Sequence, residues 1–171
     1  MGLFDVSNQW ELLLRLTIAV LLGLVVGAER SRVGKRAGMR TYGLVSLGAS
    51  LFVVIAGVVS FQYADTFVFD PLRVASQVVV GIGFLGAGVI FVHRQILTGL
   101  TTAAGLWVVA GIGVACGYGL YVIAAYVTFL TLFVFEVLWY IEERFIKKSH
   151  TDLDDEFPDV IKKLRHHEEE E

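Results

Sequence analysis

Hydrophobic residues in this chain gather into five long blocks with almost no charge inside them, at about residues 11–28, 41–61, 71–92, 99–117 and 119–141. A hydrocarbon core of about 30 Å calls for roughly 20 apolar residues in a helix, with about 17–25 tolerated. The pattern therefore predicts an all-α, polytopic membrane bundle of five transmembrane helices. The segments between the blocks agree. Asp70-Pro71 reads as a helix start, with Asp at the N-cap accepting from orphan N–H groups and Pro at N1 losing nothing by lacking one. The short "GYG" turn at 117–119 requires the fourth and fifth helices to run antiparallel. No period of 20–50 residues recurs, and no inverted repeat of the transporter kind is evident.

Composition carries the same message: of 171 residues 56% are hydrophobic and 18% charged, with a mean hydropathy of +0.68, far from an ordinary globular chain. The bias of Lys and Arg between the loops then sets the orientation. "ERSRVGKRAGMR" carries Arg30, Arg32, Lys35, Arg36 and Arg40 against a single acid, which places it in the cytoplasm. Alternation puts the N-terminus, "QYADTFVFD" and "GYG" outside, and "HRQILT" and "EERFIKKSH" inside: N-out, C-in. The net charge of −3 is dominated by the tail, which holds more than half of the seventeen acids. The expected organisation is a transmembrane domain over 1–148 and a charged cytoplasmic tail over 149–171. "MGLFDVSNQWE" lacks the basic region of a signal peptide and is expected to remain on the mature chain. Cys116, the single cysteine, excludes an intrachain disulfide and reads as a small apolar packing residue.

"GIGFLGAGVI" contains Gly81-x-Gly83-x-x-Gly86, the spacing of a dinucleotide-binding loop. That reading requires an acid about twenty residues further on for the ribose, where this chain offers Leu106, Trp107 and Val108. The nucleotide reading fails. In a membrane helix glycine instead permits close backbone approach. Arg73, Gln77, Gly81, Phe84 and Gly88 share one face of the third helix, and this face is expected to meet Thr101, Ala104 and Gly105 on the fourth. Gly23, Gly27, Gly83 and Gly86 belong to the same set of expected helix-packing positions.

The polar residues inside or beside the spans are the candidates for function. Asp70, with Asp65 nearby, would form an acidic outer mouth, and Mg²⁺ favours carboxylate oxygens and retained waters. Gln77 lies within a span, where an unsatisfied amide is costly, and is expected to bond to a neighbouring helix. Arg40 stands at the N-terminus of the second helix, where the helix dipole disfavours a cation. An anion should accompany it: Glu29 is the proposed partner and a lipid phosphate is the rival, with a solvated positive-inside charge as an equal alternative. Glu136 and Arg15 are expected to snorkel toward the interfaces. Adjacent histidines in "HHEEEE" lack the spacing of a specific metal site. No nucleophile, base and orienting group occur together, and no basic cluster carries interleaved aromatic residues, so neither an enzyme nor a nucleic-acid binder is expected. Nor is any cofactor, beyond an Mg²⁺ interaction at Asp70.

Three ordered blocks, "GAERSRVGKRAGMRTYGLVSLGA", "DPLRVASQVVVGIGFLGAGVIF" and "GLTTAAGLWVVAGIGVACGYG", together resemble the MgtC/SapB family of bacterial inner-membrane proteins. The resemblance runs from about Leu22 to Tyr121. It implies a small polytopic inner-membrane protein linked to adaptation to low magnesium. Members are often described as Mg²⁺ transporters, although the favoured role of the best-known one is regulatory, acting on other membrane machinery including the ATP synthase. The family's recurrent polar positions would fall here on Glu29, Arg30, Gly38, Arg40, Thr41, Asp70, Arg73, Gln77, Thr101 and Thr102. Two features depart: Thr101 stands where the best-known member has Asn, and a 23-residue tail replaces an ACT-like C-terminal domain. The functional expectation is a non-enzymatic regulator linked to magnesium limitation and membrane energetics, with an ion transporter or channel as the alternative. Expected partners are the lipid bilayer, a further membrane protein and other copies of the chain.

Overall fold

The computed structural model describes residues 9–63, 70–93 and 96–141. In chain order the elements are α1 (Gln9–Arg32), α2 (Met39–Gln62), α3 (Pro71–Gly88), β1 (Phe91–His93), β2 (Ile96–Thr98), α4 (Leu100–Gly117) and α5 (Tyr121–Ile141). Each apolar block has become a helix. Four of them, α1, α2, α4 and α5, are long and apolar enough to cross a membrane.

The third block is different. It was expected to run to residue 92, but α3 ends at Gly88. The chain turns at Val89 and enters an antiparallel hairpin, Phe91 opposite Thr98 and Val92 opposite Leu97. Three-residue strands are too short for period-2 alternation to reveal them in a sequence. Arg36, from the α1–α2 loop, stacks on the Phe91 ring at 4.7 Å and ties the loop to the hairpin.

The described chain divides into two units, Met1–Leu132 and Phe133–Glu171. Everything below concerns the first unit except where α5 beyond Leu132 is named. Its centre is α2, packed between α1 and α4, while α3 leans mainly on α4. Without a hydrophobic drive between helices in lipid, close packing has to come from small residues. Gly23 and Gly27 bring α1 onto α2; a Cβ at Gly27 would lie 2.6 Å from the Met39 Cα. Gly113 and Gly117 do the same from α4, where a Cβ at Gly117 would lie 2.7 Å from the Val53 Cβ. Val26, Tyr42, Ser46, Val53, Val109 and Cys116 fill the space between and are almost wholly buried.

Helix ends follow from local chemistry. Asp70 accepts from the Leu72 N–H at 2.9 Å, with Pro71 behind it, as an N-cap should. α2 begins at Gly38 with no cap of its own, and Ser31 supplies one from α1, its Oγ accepting from the Met39 N–H at 3.0 Å. α4 closes with the glycine C-cap motif: Gly119 at φ 76° lets its N–H reach Cys116 O and the Leu120 N–H reach Ala115 O, both at 2.8 Å. That arrangement leaves the Gly117 carbonyl without a backbone partner.

Candidate functional site

Arg15 answers the Gly117 carbonyl. It was expected to snorkel, yet its side chain is fully buried, its Nη1 donating to Gly117 O at 2.9 Å and its Nη2 paired with Glu11. The guanidinium also lies against Gly119, so a cation sits at the negative end of the α4 dipole. Glu11 is one turn before Arg15 on α1 and keeps the charge paired. Hydropathy could not reveal this role, because the carbonyl Arg15 caps is 102 residues away.

At the other end of the core Glu29 and Arg30 are both buried and form a two-point ion pair, Nε to Oε2 and Nη2 to Oε1. The expected Glu29–Arg40 pair is not formed. Neighbouring residues on a helix diverge by about 100°, which is why sequence reading passes over them as partners; a long arginine can nonetheless fold back onto the preceding carboxylate. Beside this pair, Tyr42 donates to Thr102 O at 3.2 Å and Ser46 to Ala19 O at 2.7 Å, so α2 is bonded to both α4 and α1.

Arg40 is left exposed on the first turn of α2, with no ion pair among the described residues. It stands at one end of a groove of about 1090 Å³ between α2 and α3, floored by Ala110 of α4. Arg40 and Thr41 mark that end, and Ser60, Arg73 and Gln77 the other. Between them the walls are apolar, with Gly48 on α2 and Gly81 on α3 leaving them thin. Among the described residues no acidic side chain lines it.

The remaining predicted positions distribute as follows. Gln77, expected to bond to another helix, is exposed to the groove with no hydrogen bond among the described residues. Phe84 is 82% exposed and nothing lies within 4 Å of a Cβ built on Gly81, Gly83 or Gly88, so the expected meeting of that face with α4 does not occur. α3 reaches α4 through Gly86, whose added Cβ would lie 3.7 Å from the Ala103 Cβ. Helix α3 is thereby rotated from the expected position, turning its polar and glycine face into the groove. On α4, Gly105 and Thr102 are buried whereas Thr101 and Ala104 are exposed. Glu136 is half-buried on α5. Asp70 is exposed at the start of α3, close enough to Tyr118 that burial first and the Asp70 charge second push the Tyr118 phenol above its ordinary value. Asp65 and the "HHEEEE" tract lie outside the described residues. Among the described residues no three His, Cys, Asp or Glu side chains gather as metal ligands would.

Comparison with known proteins adds what geometry cannot. The profile of the MgtC family matches residues 16–144. YhiD of Escherichia coli K12, whose name proposes a magnesium transporter, is 40% identical over 142 residues, 82% of this chain and 66% of its own. Protein MgtC of Salmonella typhimurium is 47% identical over 107 residues, 63% of this chain and 43% of its own. An uncharacterized protein of Synechocystis is 43% identical over 114 residues, 66% of this chain and 46% of its own. The chain thus spans about two-thirds of the first of these relatives and less than half of the other two. No solved structure matches it.

Proposed function

The chain belongs to the MgtC family, and from that premise we propose that it is a non-enzymatic regulator in the inner membrane, linked to magnesium limitation and acting by contact with other membrane components. One observation carries the reading: the open space of the bundle, the α2–α3 groove, is apolar along most of its length, edged by Arg40 and Arg73, and lined by no carboxylate among the described residues. A divalent cation crossing lipid needs oxygen ligands in place of its water shell, and two arginines on its route would oppose it. The tight side of α2 offers no substitute, since Glu29 is neutralised by Arg30 and the Tyr42 and Ser46 hydroxyls are engaged. The N-out, C-in orientation from the loop charges belongs to this reading and puts Arg40 on the cytoplasmic side.

Magnesium transport is the second reading. It is favoured by the name of YhiD and by the exposed Asp70 carboxylate beside Tyr118 at one end of the bundle, which copies of the chain assembled around an axis would multiply. Magnesium flux into liposomes holding the purified protein separates the two. The regulatory reading expects flux no greater than in empty liposomes. Flux that is lost in folded Asp70→Asn or Gln77→Leu would replace it with transport.

A further inference from the structure

We propose that the α2–α3 groove is a binding site for one anionic phospholipid, its phosphate at Arg40 and Thr41 and an acyl chain lying along Gly48 and Phe52. This goes beyond the regulatory reading and is independent of it, since a regulator and a transporter alike could hold a lipid there.

The lining chemistry selects the ligand. From Leu44 to Val59 the α2 wall is apolar, which excludes a hydrated solute, while the end at Arg40 and Thr41 offers a cation and a hydroxyl. Such a cavity matches a molecule with one anionic polar end and a long apolar remainder. Two other arginines of the neighbouring loop are differently placed: Arg30 is held by Glu29 and Arg36 stacks on Phe91. Arg40 lines the groove and makes no ion pair among the described residues. A phosphate there would also remove the repulsion between Arg40 and the positive end of the α2 dipole.

The two ends are not equivalent. Arg73 stands one turn from the Asp70 carboxylate, whereas no acid is near Arg40 along α2. The anion therefore belongs at the Arg40 end. Dimensions agree. From Arg40 to Phe52 an α-helix rises about 18 Å, close to half of an approximately 30 Å hydrocarbon core and so to the reach of one acyl chain within a leaflet.

The walls are open where the chain needs room. Nothing lies within 4 Å of a Cβ built on Gly48 or on Gly81, so larger side chains there would enter the groove without striking the packed core.

The test is native mass spectrometry of the purified full chain in detergent, titrated with phosphatidylglycerol or with phosphatidylcholine of identical acyl chains. The expected result is one phosphatidylglycerol retained per chain at least about 5-fold more tightly than phosphatidylcholine. Arg40→Gln should abolish that preference while leaving residual binding of both lipids, and Gly48→Leu or Gly81→Leu should weaken both together. Melting of each variant in lipid-free detergent checks folding. Arg40→Gln, at an exposed position, decides the matter if the glycine variants fail to fold. Equal affinity for the two lipids, unchanged selectivity in folded Arg40→Gln, or a groove occupied by a second copy of the chain would each overturn the proposal.

Discussion

Toward α1 and α4, helix α2 presents Tyr42, Ser46, Ser50 and Val53, all buried, and the glycines that meet them leave no room for even a methyl group. Toward α3 it presents Thr41, Gly48, Phe52 and Ala56, and there Gly48 and Gly81 border open space. Both faces follow the same 3.6-residue period and both contain small residues. What separates them is whether a polar bond locks the approach. On the tight side Ser46 reaches Ala19 O and Tyr42 reaches Thr102 O, fixing the helices at the distance the glycines allow. On the α3 side no such bond crosses among the described residues, and a glycine on an unlocked face widens a groove instead of closing a contact.

The sharpest way to break this comparison is to enlarge glycines on either side. Gly27→Leu and Gly113→Leu place side chains against backbone atoms of α2 that have nowhere to move. Overpacking typically costs about 1–3 kcal/mol where neighbours can yield; against rigid helix backbone the expected outcome is loss of monodisperse folded protein in size-exclusion chromatography. Gly48→Ala and Gly81→Ala should leave the melting temperature unchanged or slightly raised, because the added methyl meets nothing and alanine is favoured over glycine within a helix by up to about 1 kcal/mol. Equal sensitivity on both sides would mean that the groove is closed in the membrane.

Next in size is the buried pair on the tight side. Glu29→Gln leaves Arg30 buried without its counter-charge, and breaking a buried pair from one side costs about 3–5 kcal/mol. Replacing both, as in Glu29→Gln with Arg30→Met, should recover most of the loss in chemical unfolding. Arg40→Gln should unfold as the parent does. Arg40→Glu is expected not to rescue Glu29→Arg; a rescue would restore the pairing that the spacing of charges first suggests.

Arg15 gives a somewhat smaller effect, because Glu11, its partner, has a side chain 41% exposed and can rehydrate. Arg15→Met should lower stability by about 3 kcal/mol through the uncapped Gly117 carbonyl and the lost pair. Glu11→Gln should cost about 1 kcal/mol or less, since the Arg15–Gly117 bond survives it. Similar losses in the two variants would show that the ion pair, not the carbonyl, is what Arg15 serves.

These residues also mark the limit of sequence reading. Five helices, the Asp70 cap and the buried Cys116 were legible because each depends on local composition or on two or three adjacent residues. The close approaches at Gly23 and Gly27 were legible because small residues four apart need a partner surface in lipid. What failed was rotation about a helix axis. The glycine face of α3 was assigned to α4 on pattern alone, but helix α3 is as apolar opposite that face, at Leu72, Val79 and Ile82, so hydropathy could not say which side looks inward. Arg15 and the Glu29–Arg30 pair were misread for a related reason: charge signals an interface in a sequence, and only tertiary packing shows that each has been taken inside and neutralised.

The smallest effect concerns the start of α3 and the end of α4, where the Asp70 charge acts on Tyr118. A phenol raised by burial and by a neighbouring carboxylate binds its proton more tightly folded than unfolded, so its contribution to stability is whole below the ordinary value near 10 and is lost as pH rises through the folded value. Asp70→Asn keeps the N-cap, because Asn caps about as well as Asp, and removes only the charge. The Tyr118 titration, obtained from phenolate absorbance as the difference between each protein and its Tyr118→Phe counterpart, should therefore move down in Asp70→Asn yet stay above the ordinary value, since burial is the larger cause. An unchanged midpoint would show that the Asp70 charge does not reach Tyr118 and that the start of α3 lies farther from the end of α4. A fall all the way to the ordinary value would mean that charge alone holds the phenol up and that this end of the bundle is open to water.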